Sequence, residues 1–216
     1  MTVPRSPLPI ATRGSAKLPS VFINCPFDPS YLPVFHAIVF SVMALGFEPR
    51  CALERETGTQ ERLKKILDII RTCEFGIHDL SFMRVDPSTK LPRYNMAFEL
   101  GLFLGCSEFG GKSHAGKSCL ILDRERWRYQ KSLSDLSGRD IQQHQGNPKQ
   151  AIVAVRNWLV TESQLRGRPG GAYIVKQYDQ FRKQLPSLCS SVKLRASELP
   201  FKDYCDLAGA WLRTKP

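Results

Sequence analysis

Glu99 is the only acid in the apolar run 96–104, "MAFELGLFL". A carboxylate among such neighbours must be paired, protonated or placed in a pocket, because burying an ionised acid without compensation is costly. At helical spacing Met96, Leu100 and Phe103 share a face, while Ala97 and Gly101 on the other side allow close approach. Two readings stand. Glu99 caps or pairs with an arginine such as Arg93 or Arg62, or it is a working carboxylate in a cleft. In the second case the chemistry it suits is glycosidic: stabilising an oxocarbenium-like sugar, acting as nucleophile, or positioning an acceptor hydroxyl.

A second string competes for attention. Gly111 to Ser118 spells G-x-x-x-x-G-K-S, the letters of a phosphate loop. A working phosphate loop follows a strand and opens a helix, so that its amides cradle phosphates at the helix N-terminus. Here the pattern predicts a helix before the string and a strand directly after it. Lys117 and Ser118 then enter a strand, and the match is read as accidental.

The elements that position these residues follow from periodicity. Short β-rich runs predict strands at 20–24, 47–54, 75–81 and 118–123. Helical spacing predicts helices at 30–46, 59–74 and 94–105, the second with the stripe Leu63, Ile66, Ile69 and Ile70. Further helices are expected at 148–163, 171–185 and 202–213, with a Gly/Pro-rich connector at 162–171. Strands alternating with helices predict an α/β fold: a doubly wound, flavodoxin-like parallel sheet with helices on both faces and extra C-terminal helices. The expected organisation is a flexible leader at 1–18, an α/β domain at 19–163 and a helical extension at 171–216 packed on it. In such sheets ligands lie beyond the carboxyl ends of the strands. Those ends are Asn24 to Asp28, the stretch Arg50 to Glu54, Asp79 to Ser81, and Asp123 onward. Residues 132–148 suit a loop over the site, with His144 read as exposed. Residues 124–129, "RERWRY", read as a basic surface with Trp127 partly buried.

Composition narrows the classes. A net charge of +11 favours an anionic ligand or partner, or simply solubility. The seven cysteines include no C-x-x-C pair and no Cys/His cluster with zinc spacing, so no metal site is expected. Several sit in apolar runs and read as reduced thiols, which suggests a cytoplasmic setting. The longest apolar run, near Val34 to Leu45, is too short and broken for a membrane span.

Three stretches together carry a resemblance: "VFINCPFDPSY" (21–31), "CEFGIHDLS" (73–81) and "NMAFELGLFLG" (95–105). They resemble the superfamily that joins Toll/interleukin-1 receptor (TIR) domains with nucleoside 2-deoxyribosyltransferases, over residues 19–125. The resemblance implies that Glu99 is the catalytic carboxylate. It implies that Asn24, Pro26, Phe27 and Asp28 border the base or nicotinamide, and Asp79 and Ser81 the ribose. Arg93 and Asn95 join the substrate-binding set, and Arg50, Arg62 and Arg93 are placed to hold a pyrophosphate or to form salt bridges. The implied activity is cleavage of the N-glycosidic bond of NAD+, as substrate and not cofactor, in a defence or toxin effector. The alternatives are a non-enzymatic TIR-like signalling or nucleotide-sensing module, and a deoxyribosyltransferase-like enzyme. The family also implies self-association and activation by a protein or nucleotide, while nucleic-acid binding through the basic surface stays open.

Overall fold

The computed structural model describes residues 19–54, 61–83, 85, 90–91 and 93–215. The chain runs β1 (Ser20–Asn24), α1 (Leu32–Ala44), β2 (Glu48–Arg50), α2 (Arg62–Thr72), β3 (Phe75–Asp79), α3 (Asn95–Phe109), β4 (Ser118–Asp123), β5 (Gln142–Gln143), α4 (Pro148–Ser163), α5 (Gly171–Ser191) and α6 (Phe201–Arg213). All strand pairs are parallel, in the order β2-β1-β3-β4-β5. This is the doubly wound, flavodoxin-like order, whose direction of winding reverses between β1 and β3.

Side-chain alternation along β1 and β3 divides the molecule into two faces. Val21 and Ile23 join the larger core with α1 and α4. Phe22 points the other way, into a smaller core with Ile66, Ile69 and Ile70 of α2 and Phe103 of α3. Both faces of the central strands are thus covered, which is why β1 and β3 are buried along their whole length. Gly76 of β3 is required by close approach. A Cβ there would lie 2.8 Å from His78 Nε2 and 2.9 Å from the Phe103 ring. α3 buries Met96, Glu99, Leu100 and Phe103 at i, i+3, i+4 and i+7. Glu99 is therefore buried by register, in line with three apolar side chains.

α5 and α6 extend the α1 face. Phe40 of α1 packs against Tyr178, Phe181 and Trp211. The Tyr178 and Tyr204 hydroxyls donate to the carbonyls of Pro33 and His36, at 3.0 and 2.9 Å. Among the described residues no helix is long and apolar enough to cross a membrane.

Several boundaries differ from the sequence expectation. The second strand is three residues long, because Pro49 lies within it and the chain turns at Cys51. α3 runs a turn further, to Phe109, and α5 continues through Pro186 to Ser191. Leu63 is 37% exposed, so the buried stripe of α2 begins at Ile66. Residues 124–147, polar, basic and without clear periodicity, contain two 3-10 turns and the edge strand β5, whose glutamines carry no apolar alternation. The leader at 1–18 lies outside the described residues.

Candidate active site

Beyond the carboxyl end of β1, a cavity of about 350 Å³ opens between the β1–α1 loop and the N-termini of α2 and α3. It is lined by Glu99, Asn24, Pro26, Phe27, Asp28, Arg62, Arg93 and Asn95, with Cys25, Pro29 and Met96. The place is the reversal point of the sheet, where ligands of doubly wound folds bind. Seven of the ten residues expected from the sequence meet here: Glu99, Asn24, Pro26, Phe27, Asp28, Arg93 and Asn95. Arg62, expected as a pyrophosphate contact or an ion-pair partner, joins them.

Glu99 is 8% exposed, and among the described residues no hydrogen bond or ion pair reaches its carboxylate. Burial pushes its carboxyl up to about 7, against a smaller opposing pull from the Arg62 guanidinium. The rim is electropositive. Arg62 is the first residue of α2, Asn95 is the first of α3, and among the described residues no side chain caps the N-terminal amides of either helix. Arg93 also approaches Asp28 at 4.0 Å. Cys25 is no nucleophile here. Burial first, then the charges of Asp79, Cys51 and Glu99, hold its thiol well above the usual range.

Asn24 is fixed from inside. Its amide nitrogen donates to the Met96 carbonyl at 2.9 Å and to His78 Nδ1 at 3.0 Å. The Met96 carbonyl can only accept, which sets the orientation of the carboxamide. His78 Nδ1 is then an acceptor as well, so the imidazole is the neutral Nε2–H tautomer. Burial keeps it so, pushing its pKa down to about 3.

Asp79 and Ser81 do not border this cavity, and the expectation that they meet the ribose is corrected. They face α1, on the opposite side of the sheet. Asp79 Oδ2 accepts from the Tyr31 hydroxyl at 2.5 Å and from His144 Nε2 at 2.8 Å; its Oδ1 accepts from the Ser81 amide at 2.8 Å. Ser81 Oγ lies 2.9 Å from the same His144 nitrogen. The Gly146 amide donates to His144 Nδ1, so Nε2 carries the ring proton. Ser, His and Asp are present together, yet they form no relay. A relay needs the serine and the acid on different ring nitrogens, and here both are on Nε2. Burial alone would raise the Asp79 carboxyl, but the hydrogen bonds from His144, Ser81 and Tyr31 bring it below the ordinary value.

His144 was expected to be exposed and is 1% exposed, because the turn before α4 folds it under β3. Residues 132–148 contribute nothing to the Glu99 cavity. Arg50, the remaining expected contact, is held bidentately by Glu54 at 2.5 and 2.6 Å and lines a different cavity, against α6. Trp127 is 55% exposed rather than partly buried, with Arg126 over its ring.

The phosphate-loop string has a structural occupation. Lys117 donates to the carbonyls of Ile70, at 2.7 Å, and Cys73, at the C-terminal end of α2. Its ammonium neutralises a helix end and is turned away from solvent phosphate. A larger cavity, about 1050 Å³, lies along the β4–β5 edge and α4. Its charged lining residues Arg139, Asp140, Lys149 and Glu162 are all exposed, so size does not select it as a reaction centre.

His78, which holds Asn24 from behind the cavity, was not among the expected site residues. The histidine could have been found from strand alternation, since it shares the face of Phe22 and Gly76 across the β1–β3 register. Compared with known proteins, the chain matches no family model and no curated protein, so a functional reading draws on its own residues and geometry.

Proposed function

We propose that the chain cleaves the N-glycosidic bond of NAD+ and releases nicotinamide, with Glu99 as the catalytic carboxylate. One observation carries the reading: a buried carboxylate with no hydrogen bond or ion pair among the described residues, facing a cavity with a cationic rim. Such a group is unfavourable for folding and finds its compensation in a ligand.

The nicotinamide of NAD+ leaves as a neutral molecule. When the C1′–N bond breaks, its electron pair goes to the ring nitrogen and cancels the pyridinium charge. No acid is needed for departure, and one carboxylate suffices. The positive charge moves to the ribosyl C1′ and ring oxygen, where the Glu99 anion stabilises it. A water then bonds to C1′ and gives up a proton to Glu99, which near pH 7 is poised to accept it. The product is ADP-ribose. Arg62, Arg93 and the N-termini of α2 and α3 supply positive potential for the pyrophosphate. A defence role, self-association and an activating partner accompany this reading through the resemblance of the motifs alone.

The test is nicotinamide release from NAD+ by purified protein at high concentration, wild type beside Glu99→Gln, with products separated by chromatography. Loss of at least about a hundredfold in the variant is expected, the scale of removing one electrostatic stabiliser. Equal release by both proteins sinks the assignment. Saturable NAD+ binding without release by either would favour the sensing module.

A further inference from the structure

His78 poses a question that packing does not answer. It is fully buried, with Phe22 and Phe103 edge-on at 5.6 and 5.1 Å, and among the described residues its Nε2 has no hydrogen-bond partner. An imidazole in an apolar slot with an unmet N–H is costly, and a phenylalanine or leucine would fill such space at less cost. What the imidazole offers that neither can is the acceptor Nδ1, and that atom takes a hydrogen from Asn24. The neighbourhood is cut to hold it: a side chain at Gly76 would collide with Nε2.

The consequence falls on the cavity. With both amide hydrogens of Asn24 engaged by Met96 and His78, the only group its side chain can present to the cavity is Oδ1. Asn24 and Glu99 then offer acceptors to the same ligand. Two acceptors suit two donors, and a ribosyl group brings adjacent 2- and 3-hydroxyls, of which a 2-deoxyribosyl group keeps only the second. A site built to bond a hydroxyl rejects the analogue without it, because the acceptor is left unpaired.

We infer that His78 is a positioning residue: it locks the Asn24 carboxamide with Oδ1 toward the cavity, and the lock selects ribosyl over 2-deoxyribosyl ligands. The inference rests on the glycosidic reading of the Glu99 cavity.

The experiment compares wild type, His78→Phe and His78→Asn, whose side-chain oxygen takes the place of Nδ1 and keeps the acceptor. In the wild type the Asn24 amide protons give two resolved, slowly exchanging resonances. In His78→Phe one exchanges fast, and in His78→Asn it is protected again. With NAD+ and its analogue carrying 2-deoxyribose on the nicotinamide side, the wild type prefers NAD+. His78→Phe raises KM for NAD+ about tenfold, the scale of one hydrogen bond, changes kcat less, and narrows the preference. A freely rotating Asn24 amide in the wild type overturns the inference, and so does an unchanged preference in His78→Phe. Should that variant fail to fold, Asn24→Leu removes the acceptor itself and carries the same comparison. If the wild type releases no nicotinamide, the glycosidic reading falls separately. The preference is then read as binding of adenosine against 2′-deoxyadenosine, followed on the Asn24 resonances. Equal responses overturn the inference, while a ribose preference lost in His78→Phe upholds it.

Discussion

Asp79 and Glu99 are both buried near the carboxyl end of the sheet, on opposite faces, and they differ in their partners. Asp79 receives hydrogen bonds from Tyr31, His144 and Ser81 and is held below the ordinary carboxylate range. Glu99 receives none among the described residues and is pushed up to about 7. The first environment stabilises an anion that no ligand reaches. The second leaves an anion unfavourable until something cationic arrives. Burial alone therefore does not mark a working carboxylate; burial without partners, at a cavity, does.

The contrast breaks most visibly at Asp79. Asp79→Asn weakens the acceptor for Tyr31 and His144 inside the core, and should lower unfolding free energy by about 3 kcal/mol. Denaturant titration at pH 7 checks this. Because the folded pKa is depressed, the stability contributed by Asp79 is present above its unfolded value of 3.8 and is lost as pH falls through the folded one. A variant as stable as wild type would show that the network is ornamental.

Glu99 should behave with the opposite sign. Its folded pKa is raised from 4.5 to about 7, so the unfolded chain ionises first. Stability then falls as pH rises through that window and stays lower above it. Glu99→Gln should accordingly gain about 2 kcal/mol at pH 8 and little at pH 4, while losing nicotinamide release. Melting temperatures at the two pH values decide it. A variant destabilised at pH 8 would make Glu99 a structural acid like Asp79. In the wild type, kcat/KM should decline as pH drops through about 7, where the carboxylate takes up its proton.

The smallest effect is expected at Lys117. Lys117→Ala removes the cation from the C-terminal end of α2 and should cost about 1 kcal/mol of stability. NAD+ turnover should be unchanged, as should any response to ATP. An ATP affinity that disappears with the lysine would return the string to its literal meaning.

Much of this was legible in the sequence because periodicity encodes which face is buried. The parallel sheet follows from alternating elements, and α3's spacing places Glu99 on its apolar side. The β1–α1 loop came with the strand that feeds it. What stayed hidden depends on handedness across the sheet. Asp79 and Ser81 lie at a strand end like Asn24, yet one residue of alternation sends Asp79 to the other face. His144 sits in a polar stretch without periodicity, and only the paired geometry of β4 and β5 carries it under β3. Arg50 is taken by Glu54, four residues on, a local pairing that competes with any ligand.

The Asp79 cluster also bears on how the molecule comes apart. Tyr31 and Asp79 are 48 residues distant in the chain, and Ser81 and His144 are 63 apart. Contacts spanning such loops are entropically expensive to close before the strands are in order. They are expected to form late in folding, and groups that join late govern how slowly the native state opens rather than how quickly it forms. The buried Tyr–Asp–His knot is in that sense a latch on the lifetime of the fold.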